Sequence, residues 1–138
     1  AEAKGLAVGL SISLPFEKVG NPWISDDLEF NFHYFFMRKF WFLYLAKAMV
    51  VWPGGVGTLD EVMEALTLIQ TKKLRKQIPI VLFDRKFWEK VVNWDFLVEK
   101  GVIARADLDL FKICDTVDEA FKYLTKKIRA THLRGPNF

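Results

Sequence analysis

A single cysteine, Cys114, among 138 residues leaves no intrachain disulfide to staple the fold. No metal-ligand spacing accompanies it, so a reducing, cytoplasmic setting is expected. Histidine is scarce too, with only His33 and His132. No hydrophobic run matches the roughly 20 residues that a membrane-spanning helix needs; the most apolar stretch, Phe40 to Trp52, is short and broken by Lys47. The opening AEAKGLAVGLSISLPFE lacks the charged start and long apolar centre of a signal peptide. Charge of one sign is also missing: 20 Lys and Arg interleave with 17 Asp and Glu, for a net +3. That balance calls for neither a nucleic-acid nor a membrane partner, and it leaves room for a small anionic ligand.

What the chain does have is apolar content, 51% of its residues, enough for one substantial core. A single domain spanning 1–138 is expected, with a loose tail from about 131. Apolar strand-like runs alternate with helical patterns. LAVGLSISL (6–14) ends at Pro15, and a polar loop with Gly20, Asn21 and Pro22 follows. Ser25 or Asp26 is placed to cap a long helix running to about Lys47, with Glu29 at the capping-box distance from Asp26. AMVVW (48–52), IPIVLF (78–83) and LFKIC (110–114) read as three more strands. Between them, Leu59, Val62, Met63, Leu66 and Ile69 form the apolar stripe of a helix over 58–73. A second helix is expected over 85–100, closed by Gly101. A last one opens at Thr116, with Glu119 at capping-box distance, and ends near Ala130. Strands alternating with helices predict an α/β fold with a Rossmann-like parallel sheet covered on both faces. Ligands in such sheets sit beyond the carboxyl ends of the strands, here Ser13–Pro15, Trp52–Thr58 and Phe83–Asp84. The opening AEAKG reads as the end of a helix, so the chain is expected to begin inside a longer fold.

The segment Pro53-Gly54-Gly55-Val56-Gly57-Thr58-Leu59-Asp60-Glu61 joins a strand directly to a helix. Its glycines allow close backbone approach to a ligand, and free N–H groups at the helix start favour a phosphate. It is neither a Walker loop, since no Lys precedes Thr58, nor G-x-G-x-x-G. The alternative is a plain tight turn with Thr58 and Glu61 as a capping box. Arg38 and Lys39 stand inside the aromatic run NFHYFFMRKFWFLYLAKA. Charges seldom lie in apolar surroundings without a partner, and a phosphate or carboxylate would serve; otherwise both snorkel to solvent or Arg38 pairs with an acid. Phe30, Phe32, Tyr34, Phe35, Phe36, Phe40, Trp41 and Phe42 surround that helix instead of forming one stripe, which points to deep burial or a homodimer contact.

Three strings, GLSISLPFE, FHYFFMRKF and VVWPGGVGTLDEVMEALTLIQTKKL, together resemble the nucleoside-monophosphate phosphoribohydrolases of the Lonely Guy type, often labelled lysine decarboxylase-like. The resemblance covers about residues 5–115 and rests on an Arg-Lys pair in a helix followed by P-G-G-x-G-T-x-x-E. It implies hydrolysis of the N-glycosidic bond of a nucleoside 5′-monophosphate to free base and ribose 5-phosphate. It also implies that the opening strands and a first Gly-rich element lie upstream of Ala1. By the same resemblance Arg38 and Glu61 are the catalytic pair, and Gly55, Gly57 and Thr58 hold the phosphate. Gly54 then shapes the turn, and Lys39 and Thr67 contact the ligand. No cofactor or metal is expected. A non-catalytic carrier of a nucleotide or phosphate-bearing cofactor is the alternative; it keeps the glycine loop without needing Arg38 and Glu61 together. A pyridoxal-phosphate decarboxylase would need a Schiff-base lysine, and none stands out.

Other polar residues read as structural. His33 is expected to pack or hydrogen-bond among the aromatics, with an acid–base role as the alternative. His132 falls in the tail, Cys114 acts as a small hydrophobe, and Lys72, Lys73, Arg75 and Lys76 form a solvated helix end.

Overall fold

Glu29-Phe30-Asn31-Phe32 alternates polar and aromatic residues, the period of a strand, and neither Phe nor Asn favours a helix. In the computed structural model, which describes residues 4–14, 21–25 and 27–131, these four residues form a strand. The long helix expected from residue 25 or 26 is therefore cut short. The first compact unit, Ala1–Leu45, contains β1 (Gly9–Ile12), β2 (Glu29–Phe32) and α1 (Phe35–Leu45). β1 and β2 pair in parallel, from Gly9 opposite Glu29 to Ile12 opposite Phe32. Non-local pairing overrode the helical reading, because the β1 edge supplies partners such as the Gly9 N–H to the Leu28 carbonyl at 2.9 Å. Ser25 is not a helix cap. Its Oγ accepts from the Ala7 N–H at 2.8 Å, tying the loop to the chain ahead of β1. Asp26, the other expected cap, and Pro15 and Gly20 lie outside the described residues. α1 packs on β1 and β2 and keeps its aromatics around its circumference, with Phe40 stacked on Tyr44 one turn on, ring centroids 5.3 Å apart.

The second unit, Ala46–Phe138, holds β3 (Met49–Val51), α2 (Val56–Gln70), β4 (Ile80–Phe83), α3 (Arg85–Val91), α4 (Trp94–Glu99), a 3-10 turn at Arg105–Leu110, β5 (Phe111–Cys114) and α5 (Val117–Thr131). Its three strands are parallel in the order β3-β4-β5. Central β4 is the most apolar, and Ile80, Val81 and Leu82 are fully buried, as expected for a strand covered on both faces. On one face Val81, Cys114 and Ala120 cluster with Phe83, Tyr123 and Leu124, which seats α5 on the sheet. The fold is α/β with helix-flanked parallel sheets, consistent with a Rossmann-like architecture.

Helix boundaries depart from expectation where side chains compete for the backbone. The helix expected over 85–100 breaks at Val92, which is extended, and restarts at Asn93, whose Oδ1 accepts from the Phe96 N–H at 3.0 Å. Gly101 closes it at φ +70, the left-handed value for which glycine is suited. Thr116 caps α5 as expected, its Oγ accepting from the Glu119 N–H at 3.3 Å. In α2 the buried residues are Val62, Ala65 and Leu66, while Met63 is exposed; the stripe turns slightly toward Ala65. The basic cluster after α2 is not uniformly solvated either. Lys76 is half-buried, donates to the Ala46 carbonyl at 2.9 Å, and has its pKa lowered by burial and by Lys47.

Candidate functional site

In the second unit the carboxyl ends of β3, β4 and β5 lead into Trp52, Asp84 and Asp115 respectively. β3 runs through Trp52-Pro53-Gly54 to Gly55, which caps α2 in an extended conformation with φ −88 and ψ −155. The Leu59 N–H donates to the Gly55 carbonyl at 3.1 Å. The N–H groups of Val56, Gly57 and Thr58 therefore precede the first helical bond and have no acceptor within the helix. Together with the positive end of the dipole they make this turn receptive to an anion.

The expected alternative, a Thr58–Glu61 capping box, is not formed. The helix starts two residues earlier than the periodicity suggested, so Thr58 is its third residue and Glu61 its sixth. Thr58 instead lies over Gly54. A side chain at Gly54 would put its Cβ 2.8 Å from the Thr58 Cβ and against Oγ1, so Gly54 is required for close approach. Gly55 and Gly57 differ: a Cβ at either would meet nothing within 4 Å. Their missing side chains serve no internal packing and leave open space over the helix start. Glu61 is half-buried and stands three and four residues beyond Thr58 and Gly57, on the same face one turn along.

Thr67 is set apart from these residues. Nine residues after Thr58, it lies about 13 Å along the axis and on the opposite side of the helix, and its Oγ1 donates to the Met63 carbonyl at 2.7 Å. Arg38 and Lys39 sit in the N-terminal half of α1, in the first unit, and both are half-buried. His33 is exposed between β2 and α1, its ring edge-on to Tyr34 at 4.7 Å, which fits packing.

Two features at the strand ends escape sequence reading. Trp52 and Phe83 close adjacent parallel strands, and their rings meet at 4.3 Å. Each ends an apolar run just before a turn residue, a signal visible only once β3 and β4 are known to be neighbours. Asp84 adopts φ +77 and caps α3, accepting from the Phe87 N–H at 3.1 Å. Beside it, Asp115 accepts from the Arg85 N–H at 2.8 Å and from Arg85 Nε at 3.2 Å. Glu89 and then Asp115 raise the Arg85 pKa, so its charge is secure.

Residues 1–124 match the protein family described as "Possible lysine decarboxylase". The chain belongs to this family. It is the family that contains the Lonely Guy proteins and covers nucleotide hydrolases of that type. A comparison with curated proteins gives no match. Among the described residues no helix is long and apolar enough to cross a membrane.

Proposed function

We propose that the protein is a hydrolase that cleaves the N-glycosidic bond of a nucleoside 5′-monophosphate, releasing the base and ribose 5-phosphate. The observation that carries this reading is Glu61: a half-buried carboxylate one turn behind a glycine-capped helix start, at the sixth position of the helix. The open space over Gly55 and Gly57 suits a phosphate on the first-turn N–H groups, with the Thr58 hydroxyl as a further donor. A 5′-phosphate held there leaves the ribose for the residues beyond it. As the base departs, positive charge grows on the ribose ring, and a carboxylate stabilises it while orienting water. The water oxygen bonds to C1′, the C1′–N bond breaks, and the water proton balances the departing base.

The test is base release from a panel of purine and pyrimidine nucleoside monophosphates, by wild type and by Glu61→Gln. The variant keeps the shape and removes the charge. Turnover should fall a hundredfold or more, about 3 kcal/mol of lost transition-state stabilisation, with nucleotide affinity little changed. Normal cleavage by Glu61→Gln would remove Glu61 from the chemistry. Nucleotide binding by the wild type without base release would make the protein a carrier.

A further inference from the structure

The base end of such a nucleotide needs a surface, and the chain exposes an aromatic one beside the glycine turn. Trp52 is the first residue after β3 and is 56% exposed, a costly way to leave a large apolar ring. One side of that ring meets Phe83 at 4.3 Å. Phe83 ends β4 and packs into the buried cluster of Val81, Cys114 and Ala120, so the sheet itself braces the Trp52 ring. Trp52 and Phe83 each follow directly on the Val51–Leu82 pair that ends the β3–β4 ladder. On the far flank of the turn Val56 is 84% exposed. Both ends of the glycine turn thus present apolar side chains to solvent.

We infer that Trp52 is a base-binding residue on which the base of the nucleotide stacks while its phosphate rests on the start of α2; this rests on the hydrolase reading above. The reach fits. Trp52 and Gly55 are three positions apart in the chain, which bounds the separation of their Cα atoms at about 11 Å, the length scale of a nucleotide from phosphate to base. Stacking accepts every base because each has a π-face, so Trp52 gives affinity for a base without choosing which one. Ribose 5-phosphate lacks the stacking group and should not sense Trp52.

That difference is the test. Binding of AMP, UMP and ribose 5-phosphate is measured on wild type, Trp52→Ala and Trp52→Phe, with thermal melts to confirm folding. Trp52→Ala should weaken AMP and UMP by roughly tenfold or more, the scale of one lost base–aromatic stack. Ribose 5-phosphate affinity should stay within about twofold, and Trp52→Phe should recover most of the nucleotide affinity. An equal loss for ribose 5-phosphate would show that Trp52 only braces the loop and would overturn the inference, as would unchanged AMP and UMP affinity in a folded Trp52→Ala protein. If wild type binds AMP without cleaving it and Trp52→Ala loses that binding selectively, the stacking role stands and the hydrolase reading fails. If wild type binds no nucleotide, both fall.

Discussion

Gly54 and Gly57 sit three residues apart in one turn and do opposite things. At Gly54 an added Cβ runs into Thr58, so Gly54→Ala must displace that side chain or the backbone. Stability should fall by about 1–3 kcal/mol, the usual cost of overpacking, read as a lower midpoint in thermal or urea unfolding. At Gly57, the second residue of α2, the same addition meets open space, and within a helix almost any residue is favoured over glycine. Gly57→Val should therefore fold at least as well as wild type and yet bind nucleoside monophosphate more weakly, because its side chain occupies the volume assigned to phosphate. Equal nucleotide affinity in folded Gly57→Val would rule out the phosphate cradle. Cys114 is a residue-scale contrast: it is wholly buried, burial raises its thiol pKa, and it packs as an apolar side chain.

At the scale of elements, the junction of β5 and α5 is held by charge as well as by the apolar cluster. Lys112 Nζ lies 3.0 Å from Glu119, and this hydrogen bond, with that from the Asp115 N–H, holds the Glu119 carboxyl below its ordinary range. A carboxylate depressed in the folded state contributes stability above its unfolded pKa and loses it as pH falls through the folded one. Glu119→Gln should therefore be slightly less stable than wild type at pH 7, and the gap should close in strong acid. Urea unfolding of both proteins at neutral and acidic pH checks the sign. The cap at the same junction is a separate contribution: Thr116→Ala should cost about 1 kcal/mol, independent of pH over that range.

For the whole molecule, α1 raises the question of assembly. Tyr34, Phe35, Phe36, Phe40 and Leu45 are each more than half exposed in the single chain, a concentration of apolar surface that isolated monomers seldom carry. We propose that the protein is a homodimer with α1 at or near the interface. Sedimentation at micromolar concentration should give twice the chain mass, and Phe36→Lys with Phe40→Lys should shift it to monomer. A wild-type monomer under those conditions would remove this assignment and leave the enzymatic reading intact.

Local pattern sufficed wherever a segment's neighbours in sequence decide its state. The runs at β3, β4 and β5 are apolar enough to be read as buried strands, α5 carries its own cap at Thr116, and Pro53-Gly54-Gly55 marks the strand-to-helix turn without any knowledge of the fold. The turn was legible as a candidate site for the same reason, since its anion receptivity is a property of glycines and of a helix start. Tertiary structure decided the rest. Glu29–Phe32 became a strand because β1 offered an edge, a partner twenty residues away that periodicity does not register. Glu61 lost its capping role because α2 begins at Val56, and helix starts depend on where the preceding strand releases the chain. Lys76 turned inward because the Ala46 carbonyl lies within reach. The Trp52–Phe83 ring pair exists only because β3 and β4 are neighbours, and no spacing along the chain encodes which two strands will lie side by side.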